Sequence, residues 1–193
     1  EATIGNNPFA YAVPAGKYDT LMMDVAMSAV ADGKVQVAKA TGKLLDPGCI
    51  LDKEGKPSVV PDDYLRGGVL LPFSAHKGYG LSVMVECMAG IMSGAALTHD
   101  INSWNKQPGH CGNTGHMFMA MDISKMMDLA DYTKSVETMI EQFKSSKKAE
   151  GVQEIFFPGE LEHRRAAQAG DMVSLLPSTW EKLELAAQYT GIT

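Results

Sequence analysis

The sequence predicts an α/β (α+β) protein in which helices pack on a mixed β-sheet, and three observations carry that prediction. Short β-rich runs recur at Phe9–Val13, Asp19–Asp24, Val69–Phe73 and Met117–Asp122, most of them close to turn-forming Pro or Gly. Segments with helical spacing alternate with them, most clearly Tyr132 to Lys148, where Val136, Met139, Ile140 and Phe143 fall on one face. The 193 residues are 45% hydrophobic, enough chain and enough apolar side chain for a buried core.

Taken in order, Pro8 and Pro14 bracket the first strand, and Gly16 turns the chain into the second, which is expected to pair with it. From Val25 the spacing becomes helical, with Val30, Val35, Val37 and Ala38 as an apolar stripe and Gly42 as the stop. Residues 43–68 hold Pro47-Gly48, Asp52 to Pro57, Pro61-Asp62-Asp63 and Gly67-Gly68, a density of turn formers that predicts an exposed excursion with little regular structure. The strand Val69 to Phe73 feeds a helix from Gly78 to Met92, apolar on most sides as a helix packed against a sheet would be, and Ser93-Gly94 ends it. Thr98 to Gly115 has no period and reads as a loop; Met117 to Asp122 follows as a strand. After the helix 132–148, whose closing lysines suit a C-terminus, Glu154 to Phe157 is a short strand and Gly159 to Ala169 a polar helix. Ser178 with Glu181 spells a capping box for a last helix to about Tyr189.

Composition removes several functions. A net charge of -6 and a pI near 5.3 leave no broad attraction for nucleic acid or anionic lipid. Cys49, Cys87 and Cys111 form no CxxC pair, so neither a disulfide framework nor a structural zinc site is expected, and a reducing, cytoplasmic compartment fits. The longest apolar candidate, Leu81 to Leu97, contains Glu86 and falls short of the ~20 residues that span a bilayer. The five histidines form no HExxH or i,i+4 pair, so no metal site is expected. GxSxG, Walker and strand-linked GxGxxG patterns are missing, and the 13 methionines read as packing. The chain opens on Glu1 rather than Met, which predicts an interior start within something longer.

Three strand-to-helix passages remain as candidates. At His76-Lys77-Gly78-Tyr79-Gly80 a lysine and glycines meet the first turn of a helix, suited to an anionic group, although an ordinary glycine-bearing helix entrance gives the same letters. Phe157-Pro158-Gly159-Glu160 combines a fixed turn, close backbone access and a carboxylate, or is a plain helix start. Asp24-Val25-Ala26-Met27-Ser28 is equally open. His76 and His116, at element boundaries, either serve chemistry or hydrogen-bond the backbone.

Together with GNNPFAYAVP at 5–14, DVAMSAVADGKV at 24–35, HKGYGLSVMVE at 76–86, SGAA at 93–96, GHMFMAMD at 115–122 and FPGE at 157–160, these passages form an ordered set. In that order they resemble the malate/L-lactate dehydrogenase family of NAD(P)-dependent 2-oxoacid reductases, which includes sulfolactate, ureidoglycolate and diketogulonate enzymes. The resemblance implies a non-Rossmann, sulfolactate-dehydrogenase-like fold and hydride transfer between NAD or NADP and a small 2-hydroxy or 2-oxo acid. It implies cofactor contacts from Asp24, Val25, Ala26, Lys77, Pro158, Gly159 and Glu160, and a homodimer. Asn6 and Met27 stand where relatives commonly carry Thr, and the Met27 thioether lacks the strong donor and acceptor that a hydroxyl would offer a cofactor there.

The family's proton-donating histidine and substrate-binding arginine belong to an N-terminal helical region that nothing here matches. No catalytic residue is therefore assigned within the chain, and a chain inactive alone is expected. Residues 1–160 are expected to form the cofactor-binding α/β domain, and 161–193 a helical segment that packs with the absent region. The alternative is a non-catalytic binding or interaction protein that keeps the fold.

Overall fold

In a computed structural model, which describes residues 1–102 and 109–192, the chain is α+β with two small antiparallel sheets and six α-helices among the described residues. Strands β1 (Phe9–Val13) and β2 (Leu21–Val25) pair antiparallel, from Phe9 opposite Val25 to Val13 opposite Leu21. The period of two sorts their side chains by face. Tyr11, Val13 and Leu21 pack with Ala15, Phe157 and the Val136–Ile140 stripe of the helix at Leu129–Ser145, forming one hydrophobic core. Ala10, Ala12, Met22 and Asp24 belong to the opposite face.

Helix α1 (Asp32–Ala40) starts later than the sequence pattern suggests. Residues between Val25 and Asp32 instead run on in register with other segments: the Met27 N–H donates to the Asn6 carbonyl at 2.9 Å, the Phe73 N–H donates to the Met27 carbonyl at 3.1 Å, and Ser28 bridges Pro72. Once those peptide groups are paired across the chain they are unavailable to a helix.

Residues 43–68 are the main departure. They fold into β3 (Ile50–Leu51), β4 (Pro57–Ser58) and helix α2 (Pro61–Leu65), and β3 lies between β4 and β5 (Val69–Leu70). The turn formers close tight reversals; the Asp52 carboxylate, for example, accepts the Glu54 and Lys56 amides at 2.9 and 2.8 Å. Far from being an excursion, this stretch supplies Leu45, Cys49 and Ile50 to a second core with Val35 and Ala38 of α1. Full burial of one such Ile stabilises by ~1.5–3 kcal/mol.

Helix α3 (His76–Val85) begins two residues earlier than expected, passes into a π-helical turn at Glu86–Gly90 and ends in a 3₁₀ turn at Ile91–Ser93. It is not wrapped by a sheet: Tyr79, Leu81, Val83 and Met84 are exposed. Ser74 and Ala75 enter it at φ 47° and 53°, conformations that cost ordinary residues ~1–3 kcal/mol each. Asn7 ties the N-terminal block to this helix, its Nδ2 donating to the Ser82 carbonyl at 2.9 Å and to Glu86 Oε2 at 2.8 Å.

The expected loop 98–115 lies partly outside the described residues, at 103–108; its described part holds a 3₁₀ turn at Thr98–Asp100. The strands expected at Met117–Asp122 and Glu154–Phe157 do not form, because neither segment pairs with a neighbouring strand among the described residues; Phe118 is 92% exposed. Helix α4 (Leu129–Ser145) starts three residues early because the Asp128 carboxylate caps it, accepting the Ala130 and Asp131 amides. Helix α5 (Glu160–Ala169) follows Gly159. Helix α6 (Pro177–Thr190) has no capping box: Leu176 is its cap residue, and Pro177, pre-set for helical φ, opens it.

Candidate functional site

The outer face of the β1–β2 hairpin and the segment that leads into α5 enclose a groove of about 710 Å³. Ala10 and Ala12, with their single methyls, leave the floor open beside Met22 and Asp24, while Phe156, Pro158, Gly159, Leu161 and Glu162 line it from the other side. The two halves are joined directly: the Met22 N–H donates to the Pro158 carbonyl at 3.0 Å, and the His163 ring bonds the Thr20 carbonyl at 3.1 Å. Gly159 permits the close approach. At φ +94°, a Cβ on it would stand 2.8 Å from Met22 Cγ and 3.1 Å from both Met22 N and Thr20 O.

Four of the seven residues expected to touch a cofactor, Asp24, Val25, Pro158 and Gly159, line this groove. Asp24 is exposed there. Glu160 lies behind it, buried, with its carboxylate 2.7 Å from Lys144 and 2.6 Å from Arg164 and also accepting the Phe157 amide at 3.2 Å. Burial pushes the Glu160 carboxyl up, but the hydrogen bonds from Lys144, the Phe157 amide and Arg164, with the Lys144 charge, outweigh it and hold the group below its ordinary value.

Ala26 and Lys77 do not line the groove. Ala26 directly precedes Met27, whose carbonyl accepts the Phe73 amide, and Lys77 is exposed at the start of α3. Two first-turn amides of α3 are already engaged: the Lys77 N–H donates to the Ser74 carbonyl at 3.3 Å and the Gly78 N–H to the Phe73 carbonyl at 3.1 Å. What that turn offers an anion is therefore the Lys77 ammonium more than a ring of amides. His76 is exposed, and His116 stacks on Phe118 with ring centroids 6.4 Å apart.

Sequence reasoning missed Ala10, Ala12, Phe156, Leu161 and the Lys144–Arg164 pair. The alternation in β1 and the i,i+4 spacing of Glu160 and Arg164 were available signals. Among the described residues no group of three or more His, Cys, Asp or Glu is gathered to hold a metal ion, and no helix is long and apolar enough to cross a membrane.

Comparisons with known proteins agree on one relationship. The sequence profile described as malate/L-lactate dehydrogenase matches residues 1–184. An L-sulfolactate dehydrogenase of Methanothermobacter thermautotrophicus is 36% identical over 159 residues, which are 82% of this chain and 44% of that protein. A malate dehydrogenase of Pyrococcus horikoshii is 33% identical over 167 residues, 83% of this chain and 45% of that protein. The solved sulfolactate dehydrogenase of Methanocaldococcus jannaschii superposes with a TM-score of 0.85 at 29% identity, covering 100% of this chain and 55% of that one. The chain thus spans about half the length of the relatives it matches. Ordered sequence blocks, the non-Rossmann α+β fold and these relatives agree, and the chain belongs to the malate/L-lactate dehydrogenase family.

Proposed function

We propose that the chain forms the cofactor-holding part of a cytoplasmic dehydrogenase that transfers a hydride between NAD or NADP and a small 2-hydroxy or 2-oxo acid of the malate or lactate kind. The observation that carries this reading is the convergence of Asp24-Val25 with Pro158-Gly159, distant in sequence, on one groove. Its residues suit a dinucleotide. Met22, Phe156 and Leu161 offer apolar surface to a flat ring, and the Asp24 carboxylate is placed to accept hydrogen bonds from ribose hydroxyls.

Two carboxylates, Asp24 and Glu162, make the groove better suited to hydroxyls than to phosphates. Phosphate charge is then met by Lys77, with Ala26 in the connecting backbone, and Glu160 acts from behind by anchoring the turn whose Pro158 and Gly159 face the ligand. The nicotinamide ring supplies or accepts the hydride when bound. The residues of this chain bind and orient it. In this reading the proton donor and the carboxylate-binding arginine lie outside residues 1–193, and neither His76 nor His116 takes that role. Exposed apolar side chains on α6, among them Trp180, Leu183 and Leu185, support packing of 161–193 against further polypeptide, and the reading includes a homodimer.

Titration of the 193-residue chain with NADH and NADPH, followed by nucleotide fluorescence, tests the proposal. Saturable binding without efficient reduction of 2-oxo acids is the expected result. No fluorescence change at millimolar cofactor would sink it.

A further inference from the structure

We infer that Lys144 and Arg164 are positioning residues that hold the Phe156–Gly159 wall of the groove in its binding shape, an inference that rests on the cofactor reading above. The wall has little support of its own. Residues 152–157 lie in no helix or strand, and the backbone bonds at its end are the Met22 amide to the Pro158 carbonyl and the Glu160 amide to the Phe157 carbonyl, at 3.0 and 3.1 Å.

Two cations from different helices supply the rest. Lys144 of α4 reaches Glu154 Oε1 at 3.2 Å and Glu160 Oε1 at 2.7 Å; Arg164 of α5 reaches the same two atoms at 2.5 and 2.6 Å. Glu154 precedes the wall and Glu160 follows it, so the four charges bridge both ends. The aromatic rings between them are held as well: the Arg164 guanidinium lies 5.0 Å from the Phe156 ring centroid, and Lys144 Nζ lies 6.0 and 5.9 Å from those of Phe156 and Phe157. Phe156 lines the groove and Phe157 belongs to the core beneath it. One clamp therefore sets the wall against its foundation.

The quartet carries two positive and two negative charges and is internally neutral, so it offers a cofactor phosphate little net attraction. Its contribution is shape. Glu160 is 7% exposed, and removing either cation leaves a buried carboxylate short of a partner, so the turn must rearrange to solvate it.

The test is affinity of the full-length protein for NADH and NADPH in Arg164→Met, Lys144→Met and the conservative Lys144→Arg. Both Met variants are expected to bind both cofactors about tenfold more weakly, equally at low and high salt, and Lys144→Arg to recover most of the loss. Should a Met variant fail to fold, Glu154→Gln loosens the clamp from its exposed end; a loss of about threefold, with an unchanged circular dichroism spectrum, is expected. Wild-type affinity in these variants overturns the positioning role while leaving the cofactor reading intact. A loss that shrinks at high salt, or that falls on NADPH far more than on NADH, marks direct phosphate contact and also overturns it. No binding by the wild-type protein overturns the cofactor reading and the inference together.

Discussion

At Gly159 a single hydrogen atom in place of a side chain lets the turn before α5 lie against β2, because a Cβ there would meet Met22 and the Thr20 carbonyl while the backbone holds φ +94°. Gly159→Ala is therefore expected to destabilise by ~1–3 kcal/mol, read from the urea midpoint, and to weaken cofactor binding along with it. Asp24 separates those two effects. Its carboxylate is exposed in the groove and takes no part in the ion pairs among the described residues. Asp24→Asn should leave the melting temperature unchanged and lower NADH affinity about tenfold in the same titration, the loss of one hydrogen bond to a charged acceptor. Both residues were legible in the sequence as parts of strand-to-helix passages. Glu160 was legible as a residue but not in its role, since nothing in FPGE shows that Lys144 folds back onto it.

The elements most easily read were those whose signals are local. Prolines and a Gly16 turn specify the β1–β2 hairpin, and the i, i+3, i+4 stripe of α4 together with Asp128 specifies that helix. Two-residue strands such as β3 and β4 carry no periodicity to read, because pairing across the sheet alone makes them strands. Met117–Asp122 shows the converse, a strand-like composition without a partner among the described residues. The clamp between α4 and α5 has its own pH signature. Arg164 and then Lys144 hold the Glu154 carboxyl down at about 2, and Glu160 is lowered as well, against an ordinary 4.5 for both. A carboxyl whose pKa is lower in the folded state binds its proton more readily once unfolded. The contribution of these acids is present above pH 4.5 and is lost as pH falls toward about 2. Melting temperature should drop through that window, and less steeply in Glu154→Gln.

Across the whole molecule, apolar surface exceeds what the two cores cover. The accessible area is 14414 Å², where a compact monomer of 20.8 kDa exposes about 9,000 Å². The excess includes the flank of α3, residues Phe118 and Met119, and α6, in which no residue is buried. Exposed apolar side chains in such number favour further burial. The 193-residue chain by itself is accordingly expected to bind a hydrophobic dye strongly and to sediment as more than a monomer; weak dye binding and a clean monomer boundary would contradict this.

By itself the sequence determined the α+β class, the hairpin, the long helix α4 and, through six ordered blocks, the family, because strand alternation, helical period, turn chemistry and motif order are all written along the chain. Only the tertiary structure decided that Asp24-Val25 and Pro158-Gly159 share a groove while Lys77 stands outside it, that 43–68 builds half of a core, and that Glu160 is buried in ion pairs with Lys144 and Arg164. Those facts depend on which residues meet across long loops. Side-chain burial and ion pairing between segments fix such meetings, and no local pattern encodes them.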